Sequence, residues 1–76
     1  MDATKLKTTL MLMKLGESRS EYWFLQNRNF TTKELADAVS EGLIIKTEKD
    51  PKDFMSDTRY TLTKTGYEFA WQKNIK

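Results

Sequence analysis

Cysteine and histidine are both missing from these 76 residues, proline occurs once and glycine three times. Without cysteine there is neither a disulfide framework nor a thiolate metal site. Lacking histidine as well, the chain is closed to the common activated-nucleophile arrangements of hydrolases. Asp50, Asp53 and Asp57 remain as carboxylates for acid–base work, but they fall in a stretch that reads as an exposed loop. With Glu48 they do not match the spacing of a calcium-binding loop, and no glycine supplies its sharp turn. The expectation is a protein that is not an enzyme and holds no metal or cofactor. Long apolar runs are missing too. The run Leu10 to Met13 ends at Lys14, far short of the roughly 20 residues of a membrane span. The first residues also lack a signal-peptide pattern, so a cytoplasmic protein with no membrane partner is expected. Nor does one sign of charge dominate. Residues 1–38 hold six basic and five acidic side chains, and residues 39–76 hold seven and six, for a net charge of +2. No basic block announces a nucleic-acid surface.

What is present suits one small domain spanning residues 1–76, with an apolar fraction of 38 % and nine aromatic residues supplying large individual burials. Leu6, Leu10 and Met13 recur at helical spacing and predict a helix over residues 3–15. Leu12 and Leu15 widen its apolar stripe, and Gly16 stands where a helix C-terminal glycine is common. A second helix is predicted over 18–28, capped by Ser18 or Ser20, with Tyr22, Trp23, Leu25 and Phe24 on its buried side. Asn27 to Phe30 reads as a turn. Thr31 or Thr32 caps a third helix over 32–41; with Thr31 as N-cap, Glu34 matches a capping box. Its inward face is Leu35, Ala36 and Val39, and it stops at Gly42. The period then changes. Leu43-Ile44-Ile45-Lys46-Thr47-Glu48 reads as a strand, Lys49-Asp50-Pro51-Lys52-Asp53 as a turn-forming tip, and Arg59-Tyr60-Thr61-Leu62 as the returning strand. Thr63 caps a last helix over 64–74 carrying Tyr67, Phe69, Ala70 and Trp71, with Gly66 a local weakness in its first turn. The expected fold class is mainly α with a small antiparallel β-hairpin, in the order helix, helix, helix, hairpin, helix.

Two segments carry a resemblance. Glu41-Gly42-Leu43-Ile44 resembles the junction between recognition helix and wing in winged helix-turn-helix regulators. Arg59-Tyr60-Thr61-Leu62-Thr63-Lys64-Thr65-Gly66 resembles the end of the wing and the start of the next helix in bacterial or phage regulators of the MarR and PadR type. The resemblance spans about residues 4–72. It implies a winged helix-turn-helix fold, binding to double-stranded DNA, a role in transcription regulation, and a homodimer formed through the terminal helices. By position, residues 32–41 correspond to the recognition helix and residues 48–58 to the wing.

On that reading Arg28, Asn29, Thr31, Thr32 and Lys33 cluster at the helix end that enters the major groove, where Arg and Asn read base edges and Thr holds phosphates. Lys49, Lys52 and Arg59 are the wing residues expected to reach DNA. Acidic residues in the third helix and the wing motivate the alternative, a winged-helix module that docks on a protein partner without binding DNA. Trp23, Phe24, Tyr67, Phe69 and Trp71 are read as core, with the excess on the last helix available to a dimer surface.

Overall fold

The computed structural model describes residues 3–53 and 57–72. Chain order is α1 (Ala3–Met11), β1 (Ser18–Ser20), a π-helix (Trp23–Asn27), α2 (Thr32–Ser40), β2 (Ile44–Thr47), β3 (Arg59–Leu62) and α3 (Lys64–Trp71). The architecture is mixed α/β: four helical segments among the described residues, around a three-stranded antiparallel sheet in the order β1-β3-β2. The expected hairpin is therefore present as β2 and β3, but β1 joins β3 from the other side, with Ser18 opposite Thr61, Arg19 opposite Tyr60 and Ser20 opposite Arg59.

That third strand corrects the helix expected over 18–28. Ser18 is a strand residue whose hydroxyl accepts from Arg59 Nε at 3.2 Å, whereas Ser20 Oγ does accept the Trp23 N–H at 3.2 Å as the chain turns into its helical segment. The segment is a single wide turn rather than a three-turn helix, and Phe30 N–H closes it on the Phe24 carbonyl at 3.0 Å. Its burial is also redistributed: Phe24 is fully enclosed and Trp23 and Leu25 are half-buried, while Tyr22 is 70 % exposed. Phe24 is the hub of the core. It meets Trp23, Phe30 and Tyr60 edge-on, with ring centroids 4.9, 5.6 and 5.5 Å away, the arrangement that sets a positive ring edge on a negative face.

The first helix is shorter than its apolar stripe. Leu6, Leu10 and Met13 are buried as their spacing requires, but α1 ends at Met11, and Leu12 and Leu15 lie exposed. Gly16, at φ +82°, is not its cap; it turns the chain toward β1 and donates its N–H to the Leu62 carbonyl.

The second half follows its local signals more closely. Thr31 and Glu34 form the capping box at the start of α2. At the other end Gly42, at φ +77°, donates to the Val39 carbonyl and Leu43 donates to that of Ala38, the paired bonds of a glycine-terminated helix. Leu35 and Ala38 are the buried residues of α2, Val39 is half-buried, and Ala36 faces solvent, against expectation. Thr63 caps α3 through the Gly66 N–H. The last helix is described as far as Trp71; residues 73–74 of its expected span lie outside the described residues. The two resemblance segments meet in space. Thr63 Oγ1 donates to the carbonyls of Gly42 and Leu43 at 2.6 and 2.9 Å, and Gly66 lies directly against the Leu43 carbonyl.

Candidate nucleic-acid interface

The capping box does more than start α2, because a third group joins it. Glu34 Oε1 accepts the Thr31 N–H at 2.9 Å and Lys5 Nζ at 2.8 Å, and Lys5 also donates to the Asn29 carbonyl at 2.9 Å and lies 4.9 Å from the centre of the Phe30 ring. One ammonium on α1 thus fixes the turn that precedes α2. The Lys5 hydrogen bond, followed by that of Thr31, holds the Glu34 carboxyl below its usual range. The turn itself requires Asn29 to take φ +58°, a left-handed conformation that asparagine tolerates better than most residues.

Against this frame the eight candidate residues divide. Arg28 Nε donates to Thr9 Oγ1 at 3.1 Å; Thr9 is fully buried, so this bond satisfies a hydroxyl inside the fold. Thr31 spends its hydroxyl on the Glu34 N–H. Arg59 alternates with buried Tyr60 and Leu62 along β3 and therefore stands on the sheet face away from the core. There it donates to Ser18 Oγ and to the Ser18 carbonyl, and pairs with Asp57 at 3.4 Å. Asn29, Thr32 and Lys33 are exposed at the start of α2, with the Lys33 ammonium 3.5 Å from Asp37 one turn later. Lys49 and Lys52 are exposed on the chain leaving β2, where the Lys52 N–H closes a turn on Asp50 Oδ1. Positions 54–56 of the expected wing lie outside the described residues.

The solvent face of α2 is made of Thr32, Lys33, Ala36 and Ser40, with Asp37 half-exposed beside them. Next to it opens a cleft of about 270 Å³, lined by Glu21, Thr32, Ala36, Val39, Lys46 and Tyr60. Lys46 was not among the chosen contacts, yet strand alternation marks it. It sits opposite Tyr60 in the register, two residues from buried Ile44, and so rises on the core side of the sheet beside α2. Its ammonium is 3.3 Å from Glu48. The Tyr60 hydroxyl donates to Glu21 Oε2 at 2.9 Å. Burial first, then the Glu21 hydrogen bond and the charges of Glu21 and Glu48, push the phenol up to about 12.

No protein-family model, curated protein or solved structure matches the chain.

Charge is unevenly divided. Residues 31–59 carry five basic and seven acidic side chains, a net −2, while the rest of the chain carries eight and four. Among the described residues no group of three or more potential metal ligands gathers, and no helix is long and apolar enough to cross a membrane.

Proposed function

We propose that the chain is a winged helix-turn-helix domain acting as a small DNA-binding protein, a transcriptional regulator or accessory factor of the cytoplasm, with α2 as recognition helix and residues 48–58 as wing. One observation carries the reading. A helix capped at both ends presents the short hydroxyl side chains Thr32 and Ser40, with the longer Lys33, to solvent, and its terminal Gly42 leads straight into a two-stranded hairpin flanked by a third strand from before the helix pair. Short hydroxyl side chains allow a helix backbone close to base edges and phosphates. Asn29, Thr32, Lys33, Lys49 and Lys52 are the contacts this supports. Arg28, Thr31 and Arg59 act one step back, holding α1, the α2 cap and β1 in place.

A specific observation favours a second reading. The net −2 of residues 31–59 opposes phosphate, whose neutralisation supplies much of DNA affinity. It suits instead a module that docks on a protein partner. Fluorescence anisotropy of a labelled duplex, titrated with the full chain at several salt concentrations, separates the two. The DNA reading expects binding that weakens steeply with salt, a slope reduced by about one in Lys33→Ala or Lys49→Ala, and tighter binding in Asp37→Asn. An unchanged anisotropy at low salt rejects DNA binding and leaves the protein-docking module.

A further inference from the structure

The cleft beside α2 has a chemical character that neither DNA contact nor core packing uses. Tyr60, Val39 and Ala36 give it an apolar share of its lining. Its lining carries one carboxylate, Glu21, and one ammonium, Lys46. The Lys46 ammonium is matched by Glu48 at 3.3 Å. The Glu21 carboxylate, by contrast, accepts the neutral Tyr60 hydroxyl at 2.9 Å, and no cation pairs with it among the described residues. The Glu21 backbone is held by its N–H to the Thr58 carbonyl at 2.8 Å, which continues the β1–β3 ladder, and its carboxylate is held by the Tyr60 hydroxyl. The result is a fixed carboxylate at the edge of an apolar hollow. At about 270 Å³ the hollow lies at the small end of ligand sites, which are mostly apolar with a few placed polar groups.

We infer that this cleft binds a small organic cation, a primary ammonium on a compact apolar body, with the ammonium on Glu21 and the body against Val39, Ala36 and Tyr60. The Tyr60 phenol is raised first by burial and then by its hydrogen bond to Glu21, with the charges of Glu21 and Glu48 adding to it. Thr32 and Ala36 belong both to the cleft and to the solvent face of α2, so an occupied cleft and a bound duplex exclude each other. This last consequence, and it alone, rests on the proposed DNA reading.

The test is an amide chemical-shift titration of the isotope-labelled full chain with phenethylammonium, phenethyl alcohol and phenylpropanoate, which share a ring and a short chain but differ in charge. The amine is expected to produce saturable shifts at Thr32, Ala36, Val39 and Lys46, while the alcohol binds several-fold more weakly and the carboxylate does not bind. Glu21→Gln keeps an acceptor for Tyr60 and weakens the amine about fivefold, near the upper end for an accessible charge pair. Ala36→Leu, a substitution on the solvent side of α2, fills the hollow and abolishes the shifts. Equal binding of all three probes overturns the charge selection, and absence of saturable shifts with the amine overturns the site. Displacement of a labelled duplex by the amine is measured separately, so a chain that ignores DNA but takes the amine removes the DNA reading while leaving the cleft in place.

Discussion

Lys5 shows how one side chain far away in sequence decides the geometry of the candidate interface. It ties α1 to the Asn29 carbonyl and to the capping glutamate of α2, a link that no local pattern in residues 29–34 announces. Since Glu34 titrates lower in the folded chain than in the unfolded one, its contribution is complete above the unfolded value and disappears as pH falls below about 4. Thermal melts across the acid range should show wild type losing stability there, with the part due to this group absent in Glu34→Gln. Tyr60 has the opposite sign. Its pKa is raised to about 12, so the folded chain holds the phenolic proton more tightly than the unfolded chain. That stability is complete below about pH 10 and fades as pH rises through the folded value. Tyrosinate absorbance followed with circular dichroism should find one phenol ionising only as the fold is lost, and Tyr60→Phe should remove that late step. Aromatic spacing alone marked Phe24 as core, but Phe30, placed in a turn by its neighbours, became core only because the Asn29 turn folds it back under α1.

The elements that matched their local reading are those with both ends specified in sequence. Helix α2 has a capping box before it and a glycine after it, and β3 alternates cleanly. Where one end lacked a signal, the structure departed: α1 stops at Met11, five residues before its supposed terminal glycine, and Ser18-Arg19-Ser20, without a β-branched residue, becomes a strand because the open side of β3 and the Arg59 side chain hold it there. Gly66 inverts its sequence reading. It weakens helix propensity, yet a Cβ at this position would collide with the backbone carbonyl of Leu43 and come within 2.9 Å of Leu62 Cδ1. Gly66→Ala is therefore expected to destabilise by about 3 kcal/mol, the upper part of the overpacking range, where helix propensity alone would favour the alanine by up to ~1 kcal/mol. Urea unfolding gives the sign directly.

Seventy-six residues leave a small core, and apolar surface is left over. Met11 at the end of α1, Leu12 and Leu15 after it, and Tyr67 and Trp71 on α3 are 39 to 55 % exposed, while α1 and α3 pack on each other, with Lys7 over the Phe69 ring. We propose that the chain pairs with a second copy through these terminal helices, as the resemblance implies. Sedimentation at tens of micromolar is expected to give a dimer for wild type and a monomer for Trp71→Glu, with the fold kept because half of the Trp71 surface is already in water. A wild-type monomer would remove the dimer from the proposal and leave the domain to act alone. Charge is a whole-molecule property as well: a nearly neutral chain hides an acidic stretch over residues 31–59 and a basic remainder, and that division, not the total, is what separates the two proposed readings.

Composition by itself removed thiolate chemistry and histidine-based catalysis, and local patterns placed α2, the hairpin and the cap of α3, because caps, glycines and strand alternation act over a few residues. The third strand, the fate of Arg28 and Arg59 as structural ties, and the cleft between Glu21 and α2 were decided by tertiary structure alone. The two ties depend on partners some 20 to 40 residues apart, Thr9 with Arg28 and Ser18 with Arg59. No periodicity within a segment encodes a contact made only when separate segments pack together.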